Sequence, residues 1–271
     1  MLIYNNKKVE FTTFPNEETT IKNIDELTEG ENNKTVVFKF ENNGSLIELL
    51  LLKSHLDNIQ REATILEILY MPYSRMDRTE NGSVFTLKYV SNLINSMNFK
   101  HVYIHEAHSD VSLALINNSE NVPTTLKLLE KVLKDESFSD DDYIMFPDAG
   151  AAKRYHGLSG NVLIGLKNRD FATGRITNLE LHGNFNGKGK KAVIADDLSS
   201  YGGTFVRSAQ ALREQGVEEI HLVVTHAENV VFKGELFDHI DKLHTTNSIL
   251  SEENYHHNVK YKNQLSITKL Y

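Results

Sequence analysis

The sequence contains no cysteine, which excludes disulfide bridges, thiolate metal sites and cysteine nucleophiles. It also has no long apolar run, because the longest one, residues 46–52, is interrupted by Glu48 and is too short to cross a bilayer. No basic segment followed by an apolar segment stands at the N-terminus, so no signal peptide is expected. These absences predict a soluble, cytoplasmic protein that does not bind membranes.

Positive charge is scarce, with 29 basic against 37 acidic residues and a net charge of −8. This balance argues against a general nucleic-acid or membrane surface. A phosphate-binding protein of this charge must gather its cations locally, and residues 167–191 do so, with Lys167, Arg169, Arg175, Lys188, Lys190 and Lys191. The abundance of Asn and Lys points to an AT-rich genome, of the kind found in phages.

Strand patterns alternate with helix patterns along the chain, which predicts an α/β fold with parallel sheets covered on both faces. The chain has 271 residues, which is long for one such sheet. We therefore predict two similar doubly wound parallel-sheet domains, covering residues 1–138 and 139–271.

The most informative segment is residues 192–205. Ala192–Ala195 predicts a buried strand, Asp196 and Asp197 follow it, and a small-residue loop leads into a helix predicted from Thr204. Free backbone N–H groups and the positive end of a helix dipole form a phosphate cradle in such a unit. The two carboxylates suit ribose hydroxyls or a bridging Mg²⁺. The alternative is an ordinary strand-loop-helix unit with a polar loop.

Further polar residues follow other predicted strands, and ligands of open α/β sheets bind at the carboxyl ends of the strands. These residues are Arg75, Asp77, His108, Asp110, Asp148, Lys167 and Arg169.

Several segments together resemble one family, the ribose-phosphate pyrophosphokinases, which have the phosphoribosyltransferase fold. The matching segments are V-I-A-D-D-L-S-S-Y-G-G-T (193–204), Y-S-R-M-D-R (73–78), H-E-A-H-S-D (105–110), F-P-D-A-G-A-A-K-R (146–154), K-N-R (167–169) and F-P-N-E-E (14–18).

The resemblance implies that the β,γ-diphosphoryl group of ATP moves to the anomeric hydroxyl of ribose 5-phosphate, giving AMP and phosphoribosyl pyrophosphate. It implies that Lys167 and Arg169 are catalytic cations at the start of a mobile loop. It further implies Mg²⁺ as cofactor, with His108 and Asp148 as candidate ligands.

The resemblance also implies an ATP site, formed by Phe14, Asn16, Glu18, Arg75, Met76, Asp77 and His108. In the family the phenylalanine comes from a neighbouring subunit, so we expect a homo-oligomer with a shared ATP site. Met76 stands where the family has glutamine, which removes one polar contact.

The ribose-phosphate site would contain Asp196, Asp197, Ser199, Ser200, Tyr201, Gly202, Gly203 and Thr204. Here Ser200-Tyr201 replaces the usual acidic start of the family's loop. An aromatic residue at this place could border a larger acceptor, so ADP-ribose, as used by phage-borne relatives in NAD⁺ resynthesis, is an alternative to ribose 5-phosphate.

Three other hypotheses remain open at this point. The chain could be a phosphoribosyltransferase that consumes phosphoribosyl pyrophosphate, or a non-catalytic homologue that regulates an active enzyme. His101, His105 and His108 could also form part of a zinc site, although no fourth ligand is evident.

Overall fold

The chain forms two compact α/β units, residues 1–122 and 123–270, with Tyr271 grouped with the first unit. This is a computed structural model. It describes residues 1–29, 34–59, 64–80, 82–155, 160–169, 176–183 and 185–271, without the side chains of residues 167–169, 176–179 and 252. Among these residues there is no helix with the length and apolar character that a membrane crossing requires.

The first unit is built on a six-stranded sheet whose central strands are parallel. Its elements are β1 (Leu2–Tyr4), β2 (Lys7–Lys8), β3 (Phe11–Thr13), β4 (Thr19–Ile21), α1 (Ile24–Thr28), β5 (Thr35–Phe38), α2 (Gly44–Ile59), β6 (Ile65–Ile68), α3 (Thr86–Ser96), β7 (His101–His105), α4 (Asp110–Leu115) and β8 (Ser119–Val122). The strand order is β2-β1-β5-β6-β7-β8, and β3 and β4 form a separate antiparallel hairpin.

The core of the first unit joins its sheet to its long helices. Alternate residues of the strands, such as Val36 and Phe38, pack against the apolar side chains of α2 and α3, such as Leu49 and Ile94. All of them are almost completely buried, which is the pattern of a strand with one face on a helical layer.

The second unit contains a seven-stranded sheet, again mainly parallel. Its elements are α5 (Thr124–Asp135), β9 (Tyr143–Phe146), α6 (Ala149–Arg154), β10 (Asn161–Arg169), β11 (Ile176–His182), β12 (Lys191–Ser199), α7 (Gly203–Glu214), β13 (Glu219–Ala227), α8 (Leu236–His239), β14 (Lys242–Thr246), α9 (Glu252–His257) and β15 (Leu265–Thr268). Short 3₁₀ helices cover Asn229–Lys233 and Val259–Gln264. The strand order is β11-β10-β9-β12-β13-β14-β15.

Helix α5 belongs to the second compact unit. Its buried side chains Leu128, Leu129 and Val132 share a cluster with Val193 of β12 and Val223 of β13. The boundary predicted after residue 138 assigned this helix to the first domain, whereas the compact units divide between Val122 and Pro123. The predicted fold class is confirmed, with two parallel-dominated sheets.

Two neighbouring strands of the second unit, β13 and β14, carry a buried histidine pair. His221 Nδ1 lies 3.0 Å from His244 Nε2, and His221 Nε2 lies 2.8 Å from Glu219 Oε1. Burial, together with the neighbouring His221, lowers the pKa of His244 to about 4, although Glu136 acts in the opposite direction. In the folded protein at neutral pH, the His244 side chain is therefore uncharged.

This histidine should make the protein sensitive to acid. The unfolded chain takes up the proton near pH 6.5, and the folded chain only near pH 4, so the full stability is present above pH 6.5 and is lost as the pH falls towards 4. The loss is about 1.4 kcal/mol for each pH unit in this window. Urea unfolding of His244→Gln between pH 7 and 4 should show a shallower decline than wild type, and equal declines would contradict the assignment.

Candidate functional site

The carboxyl ends of three parallel strands meet at one edge of the second sheet. Strands β10 and β12 both pair with β9 in parallel, through Ile164↔Phe146 and Ile194↔Met145. Two residues beyond Phe146 lies Asp148, and two residues beyond Ile194 lies Asp196. The edge at which ligands of such sheets bind therefore contains Asp148, the pair Asp196 and Asp197, and the end of β10.

The acidic pair lies within β12, whereas the sequence placed it just after the strand. The reason is the long parallel pairing with β13, which continues through Asp196↔Val224 to Ser199↔Ala227. The backbone N–H of Asp197 donates to Asp196 Oδ1 at 2.9 Å. Burial and the adjacent Asp197 carboxylate raise the pKa of Asp196 well above its ordinary value.

An arginine offsets part of the negative charge of this pair. Arg154, at the end of α6, has its Nη1 3.0 Å from Asp197 Oδ1 and 3.5 Å from Asp196 Oδ1. The two carboxylates raise the pKa of Arg154, against the effect of its burial. Arg154 belongs to the segment 146–154 that resembles the family, but the sequence does not predict its contact with Asp196 and Asp197. These lie more than forty residues further along the chain.

The predicted phosphate loop leads directly into a helix N-terminus. Helix α7 begins at Gly203, one residue before the predicted start, and Gly202 takes a left-handed conformation with φ of 84°. Tyr201 is 58% exposed. The Ser199 hydroxyl is fully buried and has no hydrogen-bond partner in the described part of the chain.

The backbone of the loop at Tyr201 and Gly202 packs closely against Gly234 and Leu236, which follow β13. A Cβ on Gly234 would overlap the Tyr201 carbonyl oxygen, and a Cβ on Gly202 would lie 3.0 Å from Leu236 Cβ. This close approach fixes where the Tyr201 backbone can lie.

A buried hydroxyl network lies behind the acidic pair. Thr125 Oγ1 donates to the Asp196 carbonyl at 3.4 Å and lies 2.7 Å from Thr225 Oγ1. The Thr225 carbonyl accepts from Thr246 Oγ1 at 2.7 Å and from Ser248 Oγ at 3.1 Å. This network links the ends of β12, β13 and β14 to α5.

The predicted catalytic cations lie in a strand. The backbones of Lys167 and Arg169 belong to β10 and pair with Leu179 and Ile176 of β11, with a bulge between Asn168 and Arg169. The sequence predicted them at the start of a mobile loop. Their side chains, and Arg175 altogether, lie outside the described residues.

Asp148 caps the helix that follows β9. Its carboxylate accepts from the Ala151 N–H at 3.0 Å, an N-cap bond that fixes the orientation of the side chain. His108, the second residue predicted to hold a metal, belongs to the first unit and is half-buried.

In the first unit, the residues predicted to bind ATP fall into two groups. Phe14, Asn16 and Glu18 lie at the tip of the β3–β4 hairpin and line a cavity of about 930 Å³ facing Ile47 and Leu51 of α2. Phe14 is 49% exposed. Asn16 Oδ1 accepts from the Glu18 N–H at 3.4 Å, so it also shapes the turn.

The second group follows β6 and β7. Asp77 is buried, and Ser109 Oγ donates to its Oδ2 at 2.8 Å while Arg78 Nε donates to its Oδ1 at 2.9 Å. Burial opposes the ionisation of Asp77, but these hydrogen bonds and the charges of Arg78 and His108 keep its pKa below the ordinary value. Arg75 and Met76 are exposed beside it.

Backbone strain accompanies this second group. Tyr73 and Glu106 have φ values of 61° and 48°, which bulky side chains rarely adopt. Strain of this kind concentrates at functional sites.

The histidines considered as zinc ligands have other partners. His105 Nε2 lies 2.6 Å from Glu67 Oε1, and His101 Nε2 lies 3.5 Å from Glu120 Oε2. Over the described residues, no group of three or more His, Asp or Glu side chains is arranged to hold a metal.

Comparison with known proteins first identifies the class of fold. A profile of the phosphoribosyl transferase domain matches residues 127–257. The crystal structure of phosphoribosylpyrophosphate synthetase from Mycobacterium smegmatis has the same fold, with a TM-score of 0.73, 17% identity, and coverage of 97% of this chain and 86% of that one. The chain is thus an α/β protein of the phosphoribosyltransferase type.

Its sequence relatives define the family. The ribose-phosphate pyrophosphokinase of Pyrococcus furiosus is 31% identical over 216 residues, which cover 75% of this chain and 73% of that protein. The protein of the same name from Sulfolobus acidocaldarius is 26% identical and covers 89% of this chain and 84% of its own length. The chain belongs to the ribose-phosphate pyrophosphokinase family and is an enzyme of the diphosphokinase type.

Replacing Gly234 should destabilise the protein, whereas replacing Gly203 should not. Gly234→Ala should lower the free energy of unfolding by about 1–3 kcal/mol, because its Cβ would overlap the Tyr201 backbone. Gly203→Ala is the matched control, since a Cβ there meets nothing within 4 Å. Urea unfolding at pH 7.5 measures both, and a Gly234→Ala protein as stable as Gly203→Ala would contradict the close approach.

Proposed function

We propose that this enzyme transfers the β,γ-diphosphoryl group of ATP to the anomeric hydroxyl of ribose 5-phosphate. The hydroxyl oxygen forms a bond to the β-phosphorus, the bond from that phosphorus to the bridging oxygen of AMP breaks, and the hydroxyl proton passes to solvent. The products are AMP and phosphoribosyl pyrophosphate. In such a reaction most of the catalysis is positioning and charge stabilisation.

The observation that carries the proposal is the shared carboxyl edge of β9, β10 and β12. It brings an acidic pair, a glycine-containing loop before a helix N-terminus, and the backbone of Lys167 and Arg169 to one side of a single sheet. Phosphate suits the helix N-terminus, and vicinal hydroxyls suit the carboxylates. A 5-phosphorylated ribose contains both groups.

The acceptor site would be formed by Asp196, Asp197 and the loop 199–204. Glycine at 202 and 203 lets the backbone approach a phosphate, and the N-terminal N–H groups of α7 would donate to its oxygens. Lys167 and Arg169 would stabilise the charge that develops on the transferred phosphates.

The second unit offers a carboxylate that fits a magnesium ion. Mg²⁺ takes one or two carboxylates together with waters and phosphate oxygens, so Asp148, whose orientation is fixed by its helix-cap bond, suits it. When bound, the ion would neutralise charge on the phosphate oxygens of ATP.

ATP would use residues of the first unit. Arg75 and Met76 offer an exposed guanidinium and thioether beside the buried Asp77, and Phe14 offers an exposed ring on a projecting hairpin. The cavity lined by Phe14, Asn16 and Glu18 is not lined by Arg75, Met76 or Asp77. We therefore propose that a second subunit supplies Phe14, Asn16 and Glu18 to each ATP. The enzyme would then work as a homo-oligomer.

A second acceptor, ADP-ribose, is favoured by one feature. Tyr201 is 58% exposed on the loop that would hold the 5-phosphate, and Gly234 limits the positions its backbone can take. An exposed aromatic ring next to the phosphate can stack on an adenine attached beyond it. The chemistry would be the same, with ADP-ribose pyrophosphate as the product.

Replacing either cation of β10 should abolish turnover without unfolding the protein. Lys167→Ala and Arg169→Ala should each lower kcat by at least about 100-fold, since each removes charge stabilisation at the transferred group. AMP formation from Mg-ATP and ribose 5-phosphate measures this, with Lys127→Ala, at an exposed position of α5 outside the basic cluster, as control. Full activity in both variants would refute the catalytic assignment.

The acceptor is decided by comparing AMP formation with ribose 5-phosphate and with ADP-ribose. If ADP-ribose is the acceptor, Tyr201→Ala should raise its KM about 10-fold, the loss expected of one base-stacking contact. The same variant should leave the KM for ribose 5-phosphate within a factor of about two, because that molecule lacks the adenine. No AMP with either acceptor would exclude the proposed reaction.

A further inference from the structure

The acidic pair of β12 depends on a charge supplied by another element. Asp196 and Asp197 are adjacent in sequence, and the Asp197 side chain is only 6% exposed. Two carboxylates so close together and shielded from water repel one another, and ionising both is costly without a nearby cation. Arg154 is the cation that contacts both, at 3.5 Å and 3.0 Å.

The arginine is itself fixed in place. It ends α6, a short helix whose start is set by the Asp148 cap, and its guanidinium carbon lies 5.8 Å from the centroid of the Tyr155 ring. The Tyr155 ring stacks on Phe146 of β9 at 5.7 Å. The guanidinium thus lies beside the Tyr155 ring and within ion-pair distance of both carboxylates.

We propose that Arg154 is a positioning residue for the acceptor site: by neutralising the charge of Asp197, it keeps the acidic pair in place to accept hydrogen bonds from the ribose hydroxyls. This rests on the proposed function of that pair. Arg154 would not contact the reacting phosphorus, so its effect should fall on acceptor binding rather than on the chemical step.

The kinetic test compares Arg154→Met with Arg154→Lys. Arg154→Met should raise the KM for the acceptor at least 10-fold while changing the KM for ATP and the kcat at saturating acceptor less than threefold. Arg154→Lys, which keeps the charge, should recover at least a third of the loss. Equal effects on both substrates, or a kcat loss without a change in acceptor KM, would overturn the proposal.

A matched control is available in the same unit. Arg213 Nη2 lies 2.5 Å from Asp241 Oδ2, an arginine–aspartate pair at the opposite end of α7 from the phosphate loop. Arg213→Met removes such a pair without touching the acidic pair and should leave both KM values unchanged. A similar rise of the acceptor KM in this control would assign the effect to a general loss of stability.

A measurement without turnover separates this inference from the proposed function. In wild type, Asp197→Asn should lower the urea midpoint, because it removes the nearer of the two carboxylates that contact the buried cation. In the Arg154→Met background the same change should raise the midpoint, because it removes an uncompensated buried carboxylate. If Asp197→Asn lowered the urea midpoint in both backgrounds, Arg154 would not compensate the charge of Asp197, whether or not the enzyme is active. An inactive wild type would refute the proposed function and leave this comparison valid.

Discussion

The candidate site of the second unit depends on parallel pairing around β9. Because β10 and β12 run in the same direction on either side of it, the chain must leave all three strands at the same edge of the sheet. Each strand brings polar residues to this edge. An aspartate that caps a helix follows β9, two basic residues lie in β10, and two aspartates lie in β12. No single segment contains this combination, and the sheet assembles it from three.

The electrostatics of the edge follow from this geometry. Bringing two carboxylates to a buried strand end raises their energy, and the arginine of α6 offsets it only because α6 begins directly after the neighbouring strand. The hydroxyl network through Thr125, Thr225 and Ser248 supports the same strand ends. The second unit therefore holds its polar edge with side chains from helices α5 and α6 and from strands β13 and β14.

Much of this was predictable from the residues. Buried strands such as β12 and β13 are continuous runs of small and branched apolar residues, and helices such as α5 have an apolar face of period 3.6, so local patterns identify them. The N-terminal segment has no such pattern, because its strands β1 to β4 have only two or three residues each. The boundary predicted after residue 138 differs from the division between Val122 and Pro123 because α5 packs on β12 and β13. A helix pattern does not indicate which sheet the helix covers.

By itself the sequence determined the class of fold, the order of strands and helices along most of the chain, and the family, since these depend on local periodicity and on motifs of adjacent residues. Only the tertiary structure decided that Asp196 and Asp197 lie inside a strand, that Lys167 and Arg169 lie in a hairpin strand, and that Arg154 faces the acidic pair. The reason is that strand length is set by the neighbouring strand, and ion pairs are set by which strands are adjacent in the sheet. Both are relations between residues far apart in the chain, which no local pattern records.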